Sequence, residues 1–193
     1  MPRDATNRPP LIDIAPQTAE TAAPEAAEIL RATEKRMGFV PNMYRYMAAD
    51  PAILSGYMAA YEAFRQTGGF TPAEQETVFL TISRINGCTY CLAAHSMLAD
   101  RKSGVPAESL EALRHGRDLP DAKLDALARF TAAMVESRGY PGQEAVEAFL
   151  SAGYTERHVL AIVVAMACKT FSNTVNQLAG TEVDAPFAPY SVT

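Results

Sequence analysis

Helix-forming segments separated by glycine and proline fill the chain from residue 24 to residue 178. Alanine is frequent, apolar residues recur at helical spacing, and alternation of β-branched and polar residues is scarce. Proline begins helices and glycine ends them, so this punctuation predicts an all-α fold. The predicted helices span residues 24–37, 41–49, 51–66, 72–86, 88–102, 106–115, 121–138, 143–151 and 155–178.

The two ends of the chain differ from this helical region. Residues 1–17 carry four prolines beside a short apolar patch, and residues 181–193 combine two prolines with Phe187 and Tyr190. Proline disfavours helices and central strands alike. We therefore expect one helical domain over residues 18–180 with an arm at each end, packed either on its own chain or on another subunit.

A weak internal repeat is also predicted. Residues 69–71 (GFT) are similar to residues 153–155 (GYT), and an apolar helical stretch follows each of them. The repeat predicts that both copies continue into a polar break and a second helix. Chance similarity between two amphipathic helices is the alternative explanation.

The net charge and the hydropathy of the sequence disfavour several classes of function. The formal net charge is -5 and no basic run occurs, which disfavours binding to nucleic acids or to anionic membranes. The N-terminus lacks the apolar stretch of a signal peptide, and the longest apolar run, residues 159–168, is too short to span a bilayer. With three cysteines only, the sequence predicts a cytoplasmic protein without a disulfide framework.

The candidate chemistry lies in the pattern E-x11-C-x2-C-x3-H, formed by Glu76, Cys88, Cys91 and His95. The dipeptide at 86–87 (NG) ends one helix, so Cys88 begins the next, where unpaired N–H groups stabilise a thiolate. Cys91 and His95 lie one turn apart on the same face, where the imidazole can take the thiol proton.

Glu76 belongs to the preceding helix, among apolar neighbours, and a buried carboxylate needs a partner. A helical hairpin turning at 86–87 brings Glu76 close to His95, either in direct contact or through a water molecule. A Glu–His pair would orient the imidazole. The alternative is a structural zinc site that combines the two cysteines with His95 and Glu76.

The same residues carry a family resemblance. The pattern T-P-x-E…N-G-C-x-Y-C-x-A-A-H resembles the AhpD-like branch of the carboxymuconolactone decarboxylase family, within its peroxidase-related members. Residues 38–42 (GFVPN), 113–116 (LRHG) and 173–184 (NTVNQLAGTEVD) extend the resemblance over roughly residues 38–190. It implies an AhpD-like helical bundle, a CxxC thiol peroxidase activity without a cofactor or metal, and homo-oligomers, often trimers or hexamers.

The resemblance also implies roles for the four residues. Cys91 would react with a hydroperoxide, and Cys88, the more exposed cysteine, would form a disulfide with it and meet an external dithiol reductant. His95 and Glu76 would relay protons. Tyr90 is a departure, because the best-studied branch has a second histidine there and a tyrosine hydroxyl is a poor base at neutral pH.

Two other functions stay open. In a lyase of the decarboxylase type, His95 and Glu76 would do the acid–base work and the cysteines would be incidental. In a non-catalytic module, the CxxC pair would sense redox state or bind zinc.

Residues outside the motif are assigned mainly to packing. Cys168 is expected to be an inert buried thiol, and His115 to stabilise a helix C-terminus. A band of tyrosines and methionines either packs in the core or walls a pocket for an organic hydroperoxide. It comprises Met43, Tyr44, Tyr46, Met47, Tyr57, Met58 and Tyr61. Four polar residues late in the last helix either contact the cysteine hairpin or lie in a buried interface: Lys169, Ser172, Asn173 and Asn176.

Overall fold

The computed structural model describes residues 9–191, and within this range it contains nine α-helices, one short 3-10 turn and no strand. The helices are α1 (Pro24–Met37), α2 (Asn42–Met47), α3 (Pro51–Thr67), α4 (Pro72–Ile85), α5 (Thr89–Arg101), α6 (Ala107–His115), α7 (Ala122–Glu136), α8 (Gln143–Ser151) and α9 (Glu156–Ala179). The 3-10 turn is Ala188–Tyr190. The all-α prediction is confirmed, and each predicted helix is present with bounds that differ by at most two residues.

Local sequence signals explain these bounds. Proline occupies the first turn of α1, α3 and α4, where its missing N–H has no helical partner. The start of α4 is a capping box in which the Thr71 hydroxyl accepts from the Glu74 backbone N–H (3.3 Å) and the Glu74 carboxylate accepts from the Thr71 N–H (2.8 Å). This box fixes where α4 begins and therefore where Glu76 points.

Removing the Thr71 cap is expected to destabilise the fold modestly. Thr71→Ala leaves the first-turn N–H of Glu74 without its acceptor and should lower the free energy of unfolding by about 1 kcal/mol. Thr71→Ser keeps the hydroxyl and serves as the control. Urea denaturation followed by circular dichroism compares the two, and equal midpoints would contradict the assigned cap.

The centre of the bundle is α9, which packs against α2, α3, α4 and α5. It is long and apolar enough to cross a membrane, a property that the core helices of soluble proteins share. The hairpin of α4 and α5 lies against it, with almost all of α4 after its first two residues buried. At the far end, Phe149 stacks between Phe130 and Tyr154 at ring distances of 4.2 and 4.5 Å. The cysteine motif is therefore enclosed by packed helices.

The second copy of the predicted internal repeat lacks the turn that divides the first copy into two helices. In the first copy, Gly87 adopts φ +68, a left-handed conformation that lets the chain turn between α4 and α5. The corresponding residue of the second copy is Phe171, and α9 continues through it without interruption. The predicted break and second helix of that copy are therefore wrong, because the glycine that makes the turn is missing.

The described parts of both arms pack on their own chain. The Leu11 N–H donates to the Leu178 carbonyl at 2.8 Å, and the Gln17 N–H donates to the Arg45 carbonyl at 2.9 Å. At the other end, Phe187 is buried against the bundle. The remaining arm residues of the prediction, 1–8 and 192–193, lie outside the described residues.

Candidate active site

The α4–α5 hairpin brings Glu76 and His95 into direct contact. Glu76 Oε2 lies 2.8 Å from His95 Nδ1, and the two residues are only 1% and 5% exposed. The sequence left a bridging water open, and the structure gives a direct hydrogen bond. An ionised Glu76 only accepts, so Nδ1 carries the proton and Nε2 is left as an unprotonated base.

Arg65, on α3, is a second partner of Glu76. Its Nη2 lies 2.5 Å from Glu76 Oε1, and its guanidinium lies 4.9 Å from the ring centroids of both Tyr61 and Phe79. Burial raises the pKa of Glu76, but His95 and then Arg65 outweigh it, so the net pKa is lowered. Glu76 therefore stays ionised within the bundle. The sequence analysis did not select Arg65; the buried carboxylate was the signal that a cation was needed.

Both cysteines of the motif are free thiols and both are buried, Cys88 at 3% exposure and Cys91 at 2%. The sequence predicted Cys88 to be the more exposed cysteine, and the structure buries both to nearly the same extent. Helix α9 covers the pair: the side-chain amide of Asn176 lies 3.3 Å from the Cys91 sulfur and 3.7 Å from the Cys88 sulfur. Asn176 thus contacts the hairpin, one of the two roles left open for it.

The two thiols differ in acidity. Burial raises the pKa of Cys91, but hydrogen bonding to Cys88 and the neighbouring Lys169 and His95 more than compensate, so its pKa falls well below the usual value. Burial and the neighbouring Cys91 raise the pKa of Cys88 well above the usual value. Of the two thiols, Cys91 is therefore the one that ionises more readily.

The surroundings of His95 favour the neutral form of its imidazole. Burial and then the charge of Lys169 lower its pKa, and Glu76 offsets part of that change. A neutral His95 with its proton on Nδ1 can accept a proton at Nε2, which suits a base that receives the thiol proton.

A cavity of about 490 Å³ adjoins this site, and Cys91, His95 and Lys169 line it whereas Cys88 does not. Its walls are largely apolar and aromatic. The lining also includes the cationic side chains of Arg36, Lys102 and Lys169, and no aspartate or glutamate. Of the tyrosine–methionine band, four members line the cavity: Met43, Tyr44, Tyr57 and Tyr61. The pocket-wall alternative therefore holds for these four. The further aromatic residues of the lining are Phe39, Tyr90 and Phe187.

The hydroxyl of Tyr90 hydrogen-bonds to a structural partner and not to a residue of the proposed proton relay. Its hydroxyl donates to Asp184 Oδ2 at 2.5 Å, and the same carboxylate accepts from the Asn42 N–H at 3.2 Å. Burial and Asp184 raise the pKa of Tyr90. The Tyr90 ring also contacts Phe187 edge to face, at 6.1 Å between centroids. Tyr90 thus holds the C-terminal segment, and with it Phe187, against the cavity.

Tyr90→Phe should loosen this segment without changing the cysteines. The variant loses a hydrogen bond to a charged group, which is worth about 1.5–3 kcal/mol. We expect faster amide hydrogen exchange at Phe187 and Ala188, whose N–H groups bond the Asp184 carbonyl. Unchanged exchange at these two amides would contradict the anchoring role.

The other predicted residues lie where packing was expected. Cys168 is fully buried, and burial raises its pKa to about 12. His115 lies at the end of α6, with Nε2 2.9 Å from Glu111 Oε1. Lys169 is 1% exposed and belongs to the cavity lining, a place that the sequence did not assign to it. Within residues 9–191, no three His, Cys, Asp or Glu side chains are grouped as a metal site would require.

Comparison with known proteins agrees with this geometry. The sequence model of the carboxymuconolactone decarboxylase family matches residues 51–135. The matched segment covers less than half of the chain. It contains Glu76, Cys88, Cys91 and His95, so the resemblance inferred from these residues is confirmed. No curated protein matches the chain.

Solved structures share the whole fold. An alkylhydroperoxidase AhpD core structure, an uncharacterized peroxidase-related protein from Ralstonia eutropha JMP134, has a TM-score of 0.78 at 20% identity over 94% of each chain. An uncharacterized peroxidase-related protein from Silicibacter sp. TM1040 has a TM-score of 0.74 at 22% identity, covering 96% of this chain and 95% of that one. The debrominase Bmp8 has a TM-score of 0.71 at 20% identity, covering 87% and 90%. The AhpD-like helical fold is thus confirmed.

Proposed function

We propose that this protein is a thiol-dependent peroxidase that reduces organic hydroperoxides through a Cys88–Cys91 dithiol cycle. The observation that carries the proposal is the asymmetry of the pair. Cys91 has the lowered pKa and lines the cavity, whereas Cys88 has the raised pKa and lies behind it. A nucleophile facing the substrate and a protonated partner within reach are what a two-cysteine peroxidase requires.

In the first step, the Cys91 thiolate attacks the terminal oxygen of the hydroperoxide. A sulfur–oxygen bond forms, the oxygen–oxygen bond breaks, and the electron pair leaves with the alkoxide. Cys91 becomes a sulfenic acid, oxidised by two electrons, and the peroxide is reduced to an alcohol once the alkoxide is protonated. His95 supports the step by taking the Cys91 proton beforehand, and Glu76 holds its ring in place.

In the second step, the Cys88 sulfur attacks the sulfenic acid and water leaves. Residues three apart on a helix have Cβ atoms about 5–6 Å apart, so closing the disulfide needs an adjustment within the first turn of α5. Cys88 is the N-cap of that helix, in an extended conformation, so its own backbone is not held in helical geometry. An external dithiol then reduces the pair.

Because both sulfurs are buried, the external dithiol can reach the disulfide only by a restricted route. Cys91 borders the cavity, so the reductant must enter the cavity and attack the Cys91 side of the disulfide. A small dithiol, or one carried on an extended arm, fits this requirement. The cytoplasmic location stays a prediction of the sequence, and the homo-oligomer, a trimer or hexamer, stays an implication of the family resemblance.

The proposal is tested by following hydroperoxide consumption with a small dithiol such as dithiothreitol. Cumene hydroperoxide is the first substrate, because the cavity walls are aromatic. We expect turnover that depends on both cysteines of the motif. Turnover equal to that of a Cys88→Ser/Cys91→Ser double variant would contradict the proposal, and lactone-acid turnover by that double variant would favour the lyase instead.

Reductive dehalogenation is a second candidate. The aromatic cavity wall beside Cys91 favours it, and the structure of a debrominase with 2,3,4-tribromopyrrole has a TM-score of 0.71 to this chain. The same dithiol supplies the two electrons that replacing bromine by hydrogen requires. Bromide release from a bromopyrrole, measured beside hydroperoxide consumption, decides between the two substrates.

A further inference from the structure

Lys169 is a buried cation without a carboxylate partner. The residue is 1% exposed, and within residues 9–191 no carboxylate oxygen lies within ion-pair distance of its ammonium. Its nitrogen lies 5.0 Å from the centroid of the Phe79 ring, and the side chain lines the cavity. A buried charge is costly unless an opposite charge compensates it. The position therefore requires a negative charge inside the cavity.

Cys91, which lines the same cavity, can supply this charge when its thiol ionises. The cavity lining contains no aspartate or glutamate, and Glu76 is already paired with Arg65 and His95. Burial raises the pKa of Tyr57 and Tyr61, so the hydroxyls of these two stay neutral. The remaining ionisable side chains around the Cys91 sulfur are Cys88, His95 and Cys168.

We propose that Lys169 is a catalytic residue that stabilises the negative charge first on the Cys91 sulfur and then on the oxygen that leaves it, which suits the site to alkyl hydroperoxides. This inference rests on the proposed peroxidase activity. An alkoxide is a more basic leaving group than a carboxylate, so its departure gains most from a cation and a proton donor at the site.

In the reduction of the hydroperoxide, Lys169 donates the proton that the leaving alkoxide needs. The thiolate takes the terminal oxygen, the oxygen–oxygen bond breaks, and the alkoxide receives a proton from the Lys169 ammonium to leave as the alcohol. Lys169 regains a proton from His95, which took the Cys91 proton beforehand and also lines the cavity. The condensation of Cys88 with the sulfenic acid releases one water and consumes no further proton, so the site returns to a charged lysine beside a neutral disulfide.

The first measurement does not involve peroxide. The pH dependence of Cys91 alkylation by iodoacetamide, read by peptide mass spectrometry, gives the apparent pKa of that thiol. Lys169→Met should raise this pKa by about one to two units, and Lys169→Arg should keep most of the effect. Cys168→Ala, which changes the preceding buried residue outside the cavity lining, is the matched control.

The second measurement isolates the leaving oxygen. Single-turnover rates with cumene hydroperoxide and with peracetic acid are compared at a pH where Cys91 is fully ionised in every variant. Lys169→Met should slow the reaction with cumene hydroperoxide by roughly 100-fold and that with peracetic acid by less than about tenfold, because acetate leaves readily. Lys169→Gln is measured in parallel, so that a folding defect in one variant does not remove the test.

The outcomes separate the two proposals. If the wild-type chain does not consume either oxidant, the proposed function is wrong. If the wild-type chain consumes both, but the variants slow both oxidants equally or neither, the role of Lys169 at the leaving oxygen is overturned. An unchanged pKa of Cys91 in Lys169→Met and Lys169→Gln overturns its role at the sulfur.

Discussion

Cys91→Ser is expected to lower the rate of hydroperoxide reduction by about 1,000-fold or more. The serine hydroxyl lacks the lowered pKa that Lys169, His95 and the hydrogen bond from Cys88 give the thiol, and it cannot form the sulfenic acid. The measurement is peroxide consumption by the reduced protein with excess dithiol. Cys168→Ser is the control, since that thiol lies outside the cavity lining and should leave the rate within about twofold.

Cys88→Ser tests the different roles of the two cysteines. The variant keeps the Cys91 nucleophile but has no second thiol of the motif, so it should consume one equivalent of peroxide and accumulate a sulfenic acid. A dimedone adduct on Cys91 reports that acid. If Cys88→Ser loses the single turnover and Cys91→Ser keeps it, the roles of the two cysteines are reversed.

Glu76→Gln is expected to be the most destabilising single change at the site. It leaves the largely buried Arg65 guanidinium without its charge partner and weakens the bond to His95. Breaking a buried ion pair from one side costs about 3–5 kcal/mol. Urea denaturation measures this loss, and Arg65→Met/Glu76→Gln should recover part of it, because the double variant no longer contains the unpaired cation. A loss below about 1 kcal/mol in Glu76→Gln would contradict a buried ion pair.

The pH dependence of stability follows from the same carboxylate. Its pKa is lower in the folded chain than in the unfolded chain, so ionised Glu76 stabilises the fold above the unfolded value of about 4.3. That contribution is lost as the pH falls through the folded pKa. The difference in unfolding free energy between wild type and Glu76→Gln should therefore shrink below about pH 4.

The helices were predictable because their signals are local. The capping box at Thr71 and the glycines that follow α1, α6 and α9 act within a few residues of each bound. The Glu76–His95 contact was predictable for a related reason, since a short turn at Gly87 folds α4 and α5 back on one another.

The site residues that the sequence missed or did not place with certainty come from helices that are distant in sequence. Arg65 reaches Glu76 from α3, and Asn176 and Lys169 reach the cysteines and the cavity from α9. Nothing near the CxxC motif in sequence specifies these contacts, because they arise from how the helices pack. The burial of Cys88 has the same origin: an N-cap position is open on an isolated helix, and here α9 covers it.

The most direct test is mass spectrometry of the reduced protein before and after one equivalent of cumene hydroperoxide. Peptides are analysed after alkylation of free thiols under denaturing conditions. The account predicts a disulfide between Cys88 and Cys91, with Cys168 alkylated in full. A Cys91 that stays reduced while the peroxide is consumed, or a disulfide or sulfenic acid that involves Cys168 instead, would contradict it.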